Sequence, residues 1–101
     1  MDKRPNIILF LADDLGYDDL GCYGSHAHRT PNLDALAAGG LRFSDAHSNG
    51  CMCSPSRAAM LTGRYQQRCG VEFVLGPDPD KTPGMAADEP TFAHLLQDAG
   101  Y

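Results

Sequence analysis

"NIILFLA", residues 6–12, runs without a break into "DDLGYDD", residues 13–19. A continuous apolar stretch containing the β-branched Ile7 and Ile8 predicts a strand buried on both faces of a parallel or mixed sheet. It is too short to span a bilayer and lacks the small-residue cleavage site of a secretory leader. Asp13 and Asp14 then fall at the carboxyl end of that strand, where open α/β sheets place their ligand crevices. Two adjacent carboxylates repel each other unless positive charge lies beside them, and a hard divalent cation with oxygen ligands is the usual source. A solvated acidic loop is the other reading of the pair. For Asp18 and Asp19 the plainer role, a local turn or cap, is preferred.

Outward from this stretch the chain alternates between strand and helix grammar. "RTPNLDALAAGG", residues 29–40, offers Thr30 as cap, Pro31 at the first helical position, an apolar face of Leu33, Leu36 and Ala37, and a stop at Gly39 or Gly40. "LRFSDAH", residues 41–47, alternates Leu41 and Phe43 with Arg42 and Ser44 and predicts a short strand. "SPSRAAMLTG", residues 54–63, repeats the helix pattern with Ser54 as cap, Pro55 first and Gly63 past the end. The Gly-, Pro- and Asp-rich residues 70–88 read as a surface loop, and "EPTFAHLLQDAG", residues 89–100, as a third helix. The order predicts an α/β domain with a mixed, mostly parallel sheet flanked by helices. With one firm strand and one short one, that sheet is incomplete, so residues 1–101 are expected to be the N-terminal portion of a single larger domain.

Composition sets the outer limits. The 101 residues are 43% hydrophobic with a formal net charge of −5, which suits one small domain or a piece of a larger one. No Lys/Arg cluster points to nucleic acid, and no apolar run is long enough for a membrane span. The four cysteines, Cys22, Cys51, Cys53 and Cys69, are too sparse for a disulfide scaffold, and their pairing is left open. Zinc is disfavoured, because the close pair is Cys-x-Cys with no His at ligand spacing after it.

That pair opens "CMCSPSRAAMLTGR", residues 51–64. Cys53 stands beside the proposed cap Ser54, at a helix N-terminus where backbone N–H groups and the dipole favour negative charge. Arg57, four residues on, adds a fixed positive charge on the same side. Such surroundings favour a thiolate or an anionic group attached at Cys53, and Cys51 lacks them. The plain alternative makes Cys53 a small buried hydrophobe and Arg57 a solvated helix residue.

"CSPSRAAMLTGR", Cys53 through Arg64, resembles the signature of the type I sulfatases, members of the alkaline phosphatase superfamily. "RPNIILFLADDLGYDDLGCYG", "TPNLDALAAGGLRFSDAH" and "DEPTFAHLLQDAGY" are similar to the same family's N-terminal region and follow its order, so the resemblance covers essentially the whole chain. It implies that Cys53 is oxidised to Cα-formylglycine by a formylglycine-generating or sulfatase-maturating enzyme. The hydrated aldehyde would then attack the sulfur of a sulfate ester and, by proton loss from its second hydroxyl, expel sulfate. It also implies Asp13, Asp14 and the oxidised Cys53 as ligands of one Ca2+, with Mg2+ possible, and Arg57 as the contact to the formylglycine hydroxyl and the metal-site carboxylates.

The implied substrate is a sulfated small molecule or glycan, an aryl or carbohydrate sulfate monoester. A phosphonate or phosphodiester hydrolase of the same superfamily, or an inactive sulfatase-like fragment, are the alternatives. Two further metal ligands and the substrate-contacting Lys and His residues are expected beyond Tyr101, so this piece alone is expected to be inactive. His26, His28, His47 and His94 match no catalytic position of the family, and Arg64 reads as a structural anchor. Family members are mostly periplasmic, extracellular or lysosomal, yet "MDKRPN" shows no leader.

Overall fold

The computed structural model describes residues 4–101, which form two compact units, one ending at Ser44 and one spanning Asp45–Tyr101. Three α-helices organise them: α1 (Pro31–Gly39), α2 (Cys53–Thr62) and α3 (Phe92–Asp98). Short 3-10 turns lie at Tyr17–Asp19, Gly21–Tyr23 and Gln66–Cys69.

The two expected strands are not present among the described residues. Residues 6–12 and 41–47 carry no ladder, and their apolar side chains lie open, with Ile8 77%, Phe10 88% and Leu41 89% exposed. A strand is made by its neighbour, because extended backbone gains its cross-chain hydrogen bonds only from a second extended segment. Among the described residues, no such segment lies alongside either stretch. The apolar face expected on α1 is open for the same kind of reason, with Leu33 and Leu36 both exposed.

The first unit is held by polar contacts, since none of its described residues is buried. Pro31 starts α1 as expected, but Thr30 does not cap it in the usual way. The Thr30 hydroxyl instead donates to Asp34 Oδ1 at 2.9 Å and accepts the Gly21 N–H at 2.8 Å, while Asp34 Oδ1 also accepts the Cys22 N–H at 2.7 Å. These bonds satisfy the start of the 3-10 turn Gly21–Tyr23 with groups from the first turn of α1 and the residue that precedes it. Tyr17 and Tyr23 rings meet at 4.8 Å and donate their hydroxyls to the carbonyls of Ser44 and Phe43. Arg42 lies over the Tyr23 ring and donates to the Cys22 carbonyl at 2.7 Å. Asp19 accepts the Gly16 N–H at 2.7 Å, the local capping role expected for it.

The second unit holds the small core: Pro55, Ala58 and Ala59 of α2 with Cys69 and Val71. Helix α2 packs on the 3-10 turn Gln66–Cys69 and on α3. Small residues at positions 58 and 59 let backbone approach closely, and Gly63, at φ 67°, takes the left-handed conformation that closes the helix. Helix α3 starts after Pro90 and Thr91, where His94 Nδ1 accepts the Thr91 N–H at 3.1 Å, and Gly100 follows its end at φ 85°. His94 therefore has a structural partner.

Candidate active site

Helix α2 begins two residues earlier than its sequence suggests. Met52 is the N-cap, in extended conformation at φ −125° and ψ 156°, and Cys53 is the first helical residue. Ser54, expected to be the cap, lies inside the first turn and its Oγ accepts the Leu75 N–H at 3.1 Å. Pro55 occupies the third position, where its missing N–H costs nothing because first-turn donors have no intrahelical partner. The Ser56 N–H already donates to the Met52 carbonyl at 3.1 Å. The helix-end donors outside that pattern are the N–H groups of Met52, Cys53 and Ser54.

The segment entering this helix is fixed from several sides. Ser48 and Ser56 each donate a hydroxyl to the Gly50 carbonyl at 2.7 Å, and Gln66 Nε2 donates to the Asn49 carbonyl at 3.0 Å. Pro55 is fully buried, which pins the first turn from below. Gln66 Oε1 is buried beside this loop without a partner. The roles of Ser48 and Gln66 were invisible in sequence, because neither sits at helix or strand spacing from the residues it holds.

Cys53 is exposed, so its reading as a small buried hydrophobe fails; the buried thiol is Cys69, 3.1 Å from Thr62 Oγ1. Arg57 lies one helical turn beyond Cys53 on the same face of α2. All four cysteines are free thiols. Arg64 Nη1 forms an ion pair with Glu89 Oε1 at 2.9 Å, a contact in keeping with a structural anchor.

Asp13 and Asp14 belong to the first unit and are exposed. Asp14 is the one non-glycine residue with positive φ, 54°, among the described residues. Asp tolerates that conformation better than most residues, yet it carries strain of the kind that concentrates at functional positions. Among the described residues, no three His, Cys, Asp or Glu side chains gather into a group able to hold a metal ion. The pair has the oxygen chemistry a hard cation takes, but it falls short of the about six to eight ligands calcium requires.

Comparison with known proteins settles the family. The Sulfatase family model matches residues 5–101. The chain belongs to the sulfatase family. It is 53% identical to human arylsulfatase A over 100 residues, which is 98% of this chain and 19% of that protein. Human steryl-sulfatase is 47% identical over 106 residues, 98% of this chain and 18% of that protein. The crystal structure of Ps i-CgsB superposes with a TM-score of 0.88 at 44% identity, covering 98% of this chain and 22% of that one. This sulfatase chain therefore has the sulfatase fold and spans about a fifth of the length of the relatives it matches. No helix among its described residues is long and apolar enough to cross a membrane.

Proposed function

We propose that this chain is the N-terminal portion of the catalytic domain of a sulfuric ester hydrolase acting on an aryl or carbohydrate sulfate, with Cys53 as the position of the nucleophile. The observation that carries the reading is the placement of Cys53, exposed at the first position of a ten-residue helix whose entry is pinned by Ser48, Ser56 and Gln66. In this reading residues 6–12 become a strand of the parent's sheet, which would cover the exposed side chains of Ile8 and Phe10.

The residues have separate roles. The Cys53 and Ser54 N–H groups, with the dipole of α2, favour an anion held at the helix end. Arg57 adds a donor fork and a permanent positive charge on that face. Pro55, Ser54 and Ser56 fix the direction in which the side chain at position 53 leaves the helix, and such fixed placement is worth several kcal/mol in a displacement at sulfur. Formylglycine at position 53, once hydrated, supplies two hydroxyls on one carbon, one to attack sulfur and one to release sulfate. Asp13 and Asp14 would hold a divalent cation, calcium by preference, together with oxygen ligands from elsewhere in the parent. Bound there, the cation supplies Lewis-acid polarisation of the sulfate oxygens.

Mass spectrometry of the tryptic peptide Phe43–Arg57, from protein co-expressed with a formylglycine-generating enzyme, tests this reading. Conversion exchanges one sulfur and two hydrogens for one oxygen, and fragmentation assigns the change to Cys51 or Cys53. Conversion at Cys53 is expected. A plain thiol at Cys53, under conditions that convert a control sulfatase, removes the central residue of the proposal.

A further inference from the structure

Cys51 is an exposed thiol that the proposed chemistry leaves unused, and it stands two residues before Cys53. Met52 between them is extended, at φ −125° and ψ 156°. Residues flanking one extended residue project their side chains to the same side of the chain. Two extended steps separate their Cα atoms by roughly 6.6–7.2 Å, at and just past the upper edge of the roughly 4.4–6.8 Å that disulfides span, so closing the bond draws the backbone at Met52 in slightly. Both thiols are open to solvent, and the other two cysteines are placed differently: Cys69 is buried, and Cys22 is half-buried in the first unit.

We propose that Cys51 is a redox-modification site that pairs with Cys53 in a reversible disulfide when a small-molecule disulfide such as oxidised glutathione is present. The Cys51 thiolate attacks one sulfur of the oxidant and expels the first glutathione thiolate, leaving a mixed disulfide on Cys51. The Cys53 thiolate then attacks Cys51 Sγ, forms the Cys51–Cys53 bond and expels the second glutathione thiolate. The two thiol protons end on the two released glutathiones, so two cysteines are oxidised as one glutathione disulfide is reduced. A bond that is exposed and stretched to the edge of its range belongs to the labile class that reductants reopen. While it holds, position 53 has no thiol available for conversion to an aldehyde. The bond stands independently of the sulfatase chemistry; its consequence for maturation rests on the function proposed above.

The test has two arms. In the first, purified protein is treated with oxidised glutathione, alkylated, and digested without reductant. The peptide Phe43–Arg57 is expected two hydrogens lighter, with neither thiol alkylated nor glutathionylated, and restored by dithiothreitol. In a Cys51→Ser protein, the peptide instead keeps Cys53 alkylatable or as a glutathione adduct. Two alkyl groups on the oxidised parent peptide, a persistent adduct, or a cross-link to the Cys22 or Cys69 peptide would overturn the bond.

In the second arm, parent and Cys51→Ser proteins are co-expressed with the maturation enzyme in an oxidising and in a reducing compartment. Conversion of Cys53 is expected to be higher in Cys51→Ser than in the parent when oxidising, and equal in the two proteins when reducing. Equal conversion under both conditions overturns the lock. Absence of conversion in either protein under both conditions overturns the sulfatase maturation reading, and the first arm still decides the disulfide.

Discussion

The Ser56 hydroxyl donates to the Gly50 carbonyl oxygen at 2.7 Å, tying the first turn of α2 to the loop that leads into it. Ser48 donates to the same oxygen, so that carbonyl keeps one partner if Ser56 is lost. Ser56→Ala should therefore destabilise the protein by only about 1 kcal/mol, read from the midpoint of urea unfolding. The double variant Ser48→Ala/Ser56→Ala leaves Gly50 without either hydroxyl and should cost more than the sum of the singles. Strict additivity would show that the two bonds act independently.

Gly21 packs against the carboxylate of Asp34. A Cβ placed on Gly21 would meet Asp34 Oδ2 at 2.5 Å and Oδ1 at 2.9 Å. That carboxylate is not free to swing away, because Oδ1 accepts both the Cys22 N–H and the Thr30 hydroxyl. Gly21→Ala and Asp34→Ala should each cost about 2–3 kcal/mol, the worth of a hydrogen bond to a charged group. Combined, they should cost much less than their sum, since Asp34→Ala removes the atoms that the methyl group added at position 21 would strike. A double-mutant cycle in urea reads the difference.

Gly63 ends α2 at φ 67°, with nothing within 4 Å of where a Cβ would stand. The penalty for Gly63→Ala is thus conformational and not steric against neighbours. It should amount to about 1–2 kcal/mol, with Gly63→Asn milder because Asn accepts the left-handed region. Equal melting temperatures for Ala and Asn variants would contradict this account.

Asp14 at φ 54° allows charge to be separated from backbone strain. Asn tolerates the same conformation, so Asp14→Asn should leave calcium-free stability close to that of the parent. In the full-length protein, calcium at about 100 times its Kd should raise parental stability by about 2.7 kcal/mol. The Asp14→Asn protein should lose most of that shift. A full calcium shift in the variant would remove Asp14 from the proposed ligand set.

Cys53 is exposed, so its loss should be felt in turnover and not in folding. Cys53→Ala in the full-length protein should lower kcat for an aryl sulfate by at least about 10⁴-fold, as removal of a nucleophile does. Its melting temperature should change little, as for other surface substitutions. Under reducing conditions, Cys51→Ala should remain close to the parent in both. Comparable losses from the two variants would remove the distinction drawn between the thiols.

The helices were legible because their signals are local. Pro31, Gly63, Pro90 and Gly100 act through φ and through hydrogen bonds a few residues away, and the structure places them at helix starts and ends as read. The onset of α2 lies two residues before the one its sequence suggests. Ser54 is a good cap by type, but its hydroxyl is taken by the Leu75 N–H, 21 residues away, and Met52 caps by backbone geometry alone. Strand status at residues 6–12 was not decided by composition, because hydrophobicity says what a segment can bury and not which segment will lie beside it.

By itself the sequence determined the family, through the long signature from Cys53 to Arg64 and the matching stretches around it, and the three helices, through Pro and Gly at their ends. Tertiary structure decided which cysteine is buried and which is open. It also decided that Asp34 and Thr30 serve the turn at Gly21, and that Ser48, Ser56 and Gln66 hold the entry to α2. These are contacts between groups up to 17 residues apart, set by how the chain closes on itself, and no periodicity along the chain encodes them.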